Sequence, residues 1–201
     1  MRKLADAAMP TGRHRFISLF TLAVVVCGLA LASANRADAG ALVVNSQGDA
    51  NDGCTTDPGG CNLREAINAA NTTPGPDTIT FAAGDYSLVP ATSLPVIDGT
   101  QGIEIDGDNR VEIGGFGVQT GPGLVVSTDV AEELHDVAIR GLSVYAFLED
   151  GIEVCAGKIV NQCTYDISAV EISDVRSTGN YGDGISMRGA GLSAVTVSVA
   201  D

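Results

Sequence analysis

Through the second half of the chain, short runs alternate apolar with polar residues, and the runs recur. Asp150-Gly151-Ile152-Glu153-Val154 is echoed 33 residues later by Asp183-Gly184-Ile185-Ser186-Met187. At the same offset Val137, Ile139 and Leu142 fall on Val170, Ile172 and Val175. Ile103-Glu104-Ile105 upstream and Val195-Thr196-Val197 downstream alternate in the same way, so the steps between equivalent runs are 34, 33 and 25 residues. Alternation at period two predicts half-buried strands, and the glycines between them predict turns. A step of this size predicts stacked repeats. Short strands lying in parallel over their counterparts satisfy both, so the predicted architecture is all-β, a parallel β-helix (β-solenoid). With stacked strands about 4.8 Å apart, Ile103, Val137, Val170 and Val195 form one internal ladder, and Ile105, Ile139, Ile172 and Val197 a second. An antiparallel sandwich also uses short, regularly spaced strands but gives no reason for the fixed echo. Asp150-Gly151 and Asp183-Gly184 read as turns entering strands, with glycine supplying a positive φ and the carboxylate accepting from nearby backbone N–H groups.

One segment follows a different period. In "CNLREAINAANTTPGPDTITF", residues 61 to 81, Leu63, Ala66, Ile67 and Ala70 form a helical stripe. Asn62 stands as its N-cap and Glu65 three residues later completes a capping box. Asn71 and the run Thr72 to Pro76 end the helix. The first strands of a solenoid leave backbone groups and a hydrophobic bore open to water. A short amphipathic helix laid there covers both, which makes it a cap.

The first 39 residues belong to export and not to the fold. Arg2, Lys3, Arg13 and Arg15 precede the uncharged run Phe16 to Leu31, and Ala37-Asp38-Ala39 offers small residues at the spacing of a cleavage site. Ala32-Ser33-Ala34 is an alternative site. The apolar run is short for a spanning helix, which needs about 20 residues, so no membrane span is predicted in the mature chain. The protein is therefore expected to be secreted or held at the cell surface. Residues 40–81 then make a cap region, and 82–201 the β-helix coils.

Export fixes how the cysteines are read. Cys54, Cys61, Cys155 and Cys163 remain after cleavage, and an oxidising compartment favours two disulfides. Three pairings exist; local pairing, Cys54 with Cys61 and Cys155 with Cys163, is preferred because each pair brackets a short loop. Zinc is not expected, for tight Cys-x-x-Cys spacing is missing and His135 is the one histidine after residue 39. The whole chain carries 25 acidic and 11 basic residues; residues 40–201 keep 23 and 6, a formal charge of −17. Such a surface repels nucleic acid and anionic lipid, so neither is a predicted partner.

"VVNSQGDANDGCTTDPGGCNLREAINAANTTPGPDTITF" resembles the CSLREA domain, named for the Cys-x-Leu-Arg-Glu-Ala motif met here as Cys61-Asn62-Leu63-Arg64-Glu65-Ala66. Asn62 stands where that motif usually has Ser or Thr, another capping residue. The likeness runs on through Asp77-Thr78-Ile79-Thr80-Phe81 and "LPVIDGTQGIEIDGD". It implies the front of an exported, repetitive bacterial protein that leads into a right-handed parallel β-helix of the pectate-lyase-like kind. It implies no reaction.

Two functions follow. The first is a non-catalytic β-helix of the cell surface or extracellular space, adhesin-like or structural, with a surface polysaccharide or a host or matrix protein as partner. The second is a polysaccharide lyase or hydrolase, which the architecture also hosts. A lyase needs carboxylates that hold calcium on the substrate's acid groups and a nearby basic residue. Outward positions of the aligned strands put Glu104, Asp106, Arg140 and Glu171 on one face as the candidate set, against a plain solvated face with an Asp106–Arg140 pair. Calcium is the one cofactor considered: "GDANDG" (48 to 53) and "DGDN" (106 to 109) gather oxygen ligands, yet neither has EF-hand or nonapeptide spacing, and both read better as turns. No nucleophilic triad surrounds His135. The chain closes on "LSAVTVSVAD" without a second amphipathic stretch, and further coils are expected beyond it.

Overall fold

The computed structural model describes residues 40–199 apart from 56, 58, 119, 129–132, 160 and 161. The export signal read at residues 1–39 lies outside them. The described chain is mostly strand with one short helix. In order come β1 (Ala41–Val44), α1 (Leu63–Ala70), β2 (Asp77–Phe81), β3 (Tyr86–Leu88), β4 (Ile97–Asp98) and β5 (Ile103–Gly114). There follow β6 (Leu124–Ser127), β7 (Val137–Tyr145), β8 (Ile152–Cys155), β9 (Lys158–Ile159) and β10 (Gln162–Cys163). The last are β11 (Ile167–Ser168), β12 (Val170–Thr178), β13 (Ile185–Arg188), β14 (Leu192–Ser193) and β15 (Thr196–Val199).

Sequence neighbours mostly do not pair. The main sheet runs β1-β2-β5-β7-β12-β15, with β3 also on β5; a second runs β4-β6-β8-β13, and β11 pairs β14. Every pairing in these sheets is parallel. The chain thus leaves the main sheet, adds a strand to another and returns, as parallel strands require a crossover. Ile103 faces Val137, which faces Val170; Ile105, Ile139, Ile172 and Val197 stand in one column. Ile79 continues that column upward from Ile105, and Leu42 from Ile79. The second sheet answers with Leu124, Ile152 and Ile185 in one column and Ile97, Val126, Val154 and Met187 in another. The fully buried members of these columns share one core with Leu63, Ala66, Ile67 and Ala70 of the helix.

The columns thin toward β15. Val197 keeps its register but is 45% exposed, and Val195 is half-buried, because no described strand lies beyond β15 in the sheet order. Outward positions behave as the alternation predicts: Glu171 is exposed, and Arg140 and Ser173 are half-buried.

The repeat spacing has a backbone cause. Gly102, Asp136, Ala169 and Ala194, separated by the same 34, 33 and 25 residues, all have positive φ (83°, 54°, 47° and 51°) and immediately precede the equivalent strand runs. Three of their carbonyls feed the ladder: Asp77 N–H donates to Gly102 O at 3.2 Å, Ile103 N–H to Asp136 O at 3.1 Å and Val137 N–H to Ala169 O at 3.2 Å. A second left-handed column, Asp108 and Asn109, Gly141 and Asp174, bends the long strands β5, β7 and β12 in mid-course. At Asp106–Val111 the extra residues shift the β5–β7 register.

In the Asp-Gly turns the Asp150 carboxylate does what the sequence predicts, and the glycines do not. Neither Gly151 nor Gly184 is left-handed. A Cβ on Gly151 would stand 2.6 Å from the Gly184 carbonyl oxygen, so close stacking demands the glycine. The Asp150 carboxylate accepts from the N–H of Asp183, 33 residues on, at 2.8 Å. Recurrence comes from one turn lying on the next.

Both locally paired disulfides are present, Cys54–Cys61 and Cys155–Cys163. Between the latter, β9 and β10 pair antiparallel as a small hairpin outside the parallel sheets, with residues 160 and 161 beyond description.

Two substitutions test this arrangement. Ile172→Asp places an unpartnered charge in the core column, and its cooperative unfolding transition is expected to be lost by circular dichroism. Left-handed backbone costs an L-residue roughly 1–2 kcal/mol, partly offset by glycine's greater chain entropy. Ala169→Gly is therefore expected to raise stability by about 0.5–1 kcal/mol in a denaturant melt.

Candidate functional site

The segment Cys61–Ala66 was the sharpest motif in the chain, and its side chains are taken up in holding one end of the fold. Asn62 caps α1: its Oδ1 accepts from Glu65 N–H at 3.1 Å, and its amide donates to Ala50 O at 2.8 Å. Glu65 returns the bond, accepting Asn62 N–H at Oε2, 2.9 Å. Its other oxygen accepts two more backbone donors, Asp52 N–H and Gly53 N–H, both at 2.9 Å. Glu65 is buried. Burial alone would push its carboxyl up, but the backbone donors from Asn62, Asp52 and Gly53 outweigh it, so the group sits below the ordinary glutamate range. Arg64 forks onto both oxygens of Asp49 (2.8 and 3.1 Å) and reaches Ser93 O and Thr92 O. Asp49 in turn accepts Ala91 N–H at 2.8 Å. Leu63 and Ala66 are buried, and Cys61 closes its disulfide.

This network also accounts for "GDANDG", whose polar groups bind Glu65, Arg64 and Asn68. In "DGDN", Asp106 accepts from Asp108 N–H at 2.9 Å, a turn bond. Among the described residues no group of three or more His, Cys, Asp or Glu side chains is placed to hold a metal ion. No described helix is long and apolar enough to cross a membrane.

The helix packs on β1 and β2 but leaves part of the β1 edge uncovered. A groove of about 430 Å³ runs there between Leu42, Val43, Asn45, Ala82 and the Cys54–Cys61 bridge. The covering of the first edge is thus partial, since eight helical residues span only about 12 Å.

The candidate catalytic set shares a face but does not converge. Arg140 pairs with Glu104 across β5 and β7 at 2.8 Å, rather than with Asp106, which faces it in register. Asp106 is drawn instead into its own turn. Glu171 accepts from the hydroxyl of Ser173 at 2.8 Å. His135 lies apart, against Asp136.

A different surface was missed in the sequence. On the outer face beyond the mid-strand bend, Ser87, Glu112, Ser143 and Arg176 form one column, and Gly114, Tyr145 and Thr178 another. A polar groove of about 320 Å³ opens beside it, lined by Gln47, Asp85, Ser87, Arg110, Glu112 and Ser143. Past the strand ends stand Phe116 and Tyr181, 71% and 89% exposed, with Val89 and Leu148 about half exposed. Phe116 meets the Tyr145 ring edge-on at 5.7 Å. Tyr181 N–H donates to Phe147 O at 2.9 Å, stacking its turn on the turn that carries Leu148. The 33-residue offset that links Leu148 to Tyr181 was available in the sequence, but it joins chemically unlike residues. A groove rich in donors and acceptors, one column away from the Phe116–Tyr145 ring pair, can bind a hydroxylated ligand.

No protein-family model, no curated protein and no solved structure matches the chain.

Glu65 gives a pH test. A carboxyl depressed in the folded state stabilises fully above its unfolded value and loses that contribution as pH falls through the folded value. Denaturant melts are expected to show wild type losing stability in the acid range, below the ordinary glutamate value. Glu65→Gln is expected to be less stable at neutral pH and to lack that acid-range component. Glu65→Ala, which strands three backbone donors, is expected to cost about 3 kcal/mol.

Proposed function

We propose that the parallel sheets wind as a right-handed parallel β-helix with α1 at its N-terminal end, and that the protein is exported and acts without catalysis. On this reading it works at the cell surface or in the extracellular space, adhesin-like or structural, by binding a surface polysaccharide. The observation that carries the non-catalytic part is the closure of Arg140 on Glu104, with Asp106 and Glu171 each bonded elsewhere. A lyase base must be free to take a proton, and carboxylates that hold calcium must converge. The alternation of the chain between sheets, the column registers and the resemblance of residues 42–108 to the CSLREA domain support the architecture. The polar groove lined by Gln47, Asp85, Ser87, Arg110, Glu112 and Ser143 supports a glycan over a matrix protein, because its lining offers amide, hydroxyl and charged groups that suit a hydroxylated ligand.

The exported protein is expected to bind immobilised acidic or neutral polysaccharides without releasing unsaturated uronate, with or without calcium. Phe116→Ser and Tyr181→Ser are each expected to weaken that binding about tenfold, or about 1.4 kcal/mol. Calcium-dependent uronate release abolished by Arg140→Ala would establish the lyase reading instead. Binding indifferent to both aromatic substitutions would remove the glycan surface.

A further inference from the structure

Asp77 is out of place in its column. It opens β2 at an inward position, facing Ile103, and Val137 and Val170 follow below. The residue is 3% exposed. Among the described residues its carboxylate has one hydrogen-bond partner, the backbone N of Gly40 at 2.9 Å. Gly40 is held from the other side as well, for its carbonyl accepts Thr78 N–H at 2.8 Å. A side chain on Gly40 would collide with Asp77 Oδ1. Burial pushes the Asp77 carboxyl above the ordinary aspartate range, and the single neutral N–H opposes this without cancelling it. A buried carboxylate of this kind is costly unless a positive charge faces it.

Gly40 is also the residue that follows Ala37-Asp38-Ala39. We propose that cleavage after Ala39 turns the Gly40 nitrogen into the mature chain's α-ammonium, and that this terminus forms a buried ion pair with Asp77 that fastens β1 to the main sheet. The proposal rests on the export reading above. The hydrolysis, by a signal peptidase, consumes one water, leaves a carboxylate on Ala39 and an amine on Gly40, and the amine takes a proton from solvent. An α-amine is largely protonated near neutral pH, with an ordinary pKa of about 7.7–8.0, and a facing carboxylate raises it further. Processing therefore supplies the missing charge at the atom already in contact. Cleavage after Ala34 would leave that nitrogen an amide. The proposal also gives Gly40 a reason: it has no Cβ to strike the carboxylate.

Intact mass of the exported protein tests the first step. A chain beginning at Gly40 is expected; one beginning at Asn35 overturns the proposal. An unprocessed chain overturns the export reading and the cleavage together. The second step is tested on the chain beginning at Gly40, taken from the exported protein or from the full chain by site-specific proteolysis. That chain holds one lysine, Lys158, so in denaturant, where the α-amine is free of Asp77 and titrates well below lysine, the α-amine can be acetylated selectively near neutral pH before refolding. Acetylation is expected to reduce the folded-to-unfolded ratio about tenfold or more, the equivalent of one pKa unit, and to have no effect in Asp77→Asn. Equal effects in both backgrounds, or none in either, would refute the pair. Should Asp77→Asn fail to fold, the pH dependence of acetylation in the wild type decides: an α-amine pKa above the ordinary range is expected, and one within or below it refutes the pair.

Discussion

Parallel pairing in strict register is the constraint from which the rest follows. Once Val137 faces Val170 and Ile139 faces Ile172, each side-chain position becomes a column shared by several strands. A one-residue slip would send Ile105, Ile139 and Ile172 to the solvent face and Glu104 and Glu171 into the core. What pins the register is the left-handed column Gly102, Asp136, Ala169 and Ala194. Each turns the chain just before its strand, and the carbonyls of Gly102, Asp136 and Ala169 accept from the adjacent strand start. Alanine accepts an unfavourable backbone there because the neighbouring turns leave no other path. The two sheets then need only complementary columns of Ile, Leu and Val, and little aromatic bulk, to close the core.

The β1 end obeys the same constraint with different means. Beside β1 and β2 no column can be completed by strands alone, and backbone donors in the 48–62 loop need acceptors. Glu65 gathers three of them, while Arg64 and Asp49 tie the helix to the segment at 91–93. A carboxylate with three backbone donors is well satisfied, whereas an isolated buried one is not. That contrast makes Glu65 and Asp77 different problems: Glu65 is answered within the loop, and Asp77 waits for a charge at Gly40.

Much of this is legible in the sequence, and the limits are physical. The columns at 103, 137 and 170 were readable because period-two alternation survives in each repeat. The helix was readable because Asn62, Glu65 and the Leu63–Ala70 stripe carry local signals. Both disulfides lie within short loops, where sequence distance stands in for space. By contrast, β1, β3 and β4 are two to four residues long and show no countable period. The Arg140–Glu104 pair was misassigned to Asp106 because register places residues opposite one another, while a long guanidinium reaches diagonally and a turn can claim the nearer carboxylate. The glycines of the Asp-Gly turns are predicted for the wrong reason: pattern shows that a glycine recurs, but only packing shows that Ser177, Asn180 and the Gly184 carbonyl exclude a side chain from Gly151.

The same logic says where a binding surface can be built at least cost. Inward positions are committed to columns, where a changed volume is felt by neighbours on both sides. Outward strand positions are half committed, since cross-strand pairs such as Glu104 and Arg140 couple adjacent strands. Turn positions are committed only in backbone. Phe116, Leu148 and Tyr181 occupy stacked turns, so their side chains differ freely while the hydrogen bond from Tyr181 to Phe147 and the close approach of Gly115 to Ala146 keep the turns aligned. A repeat of this kind therefore separates its two tasks along the chain. Strands fix the spacing of the wall, and turns choose its chemistry.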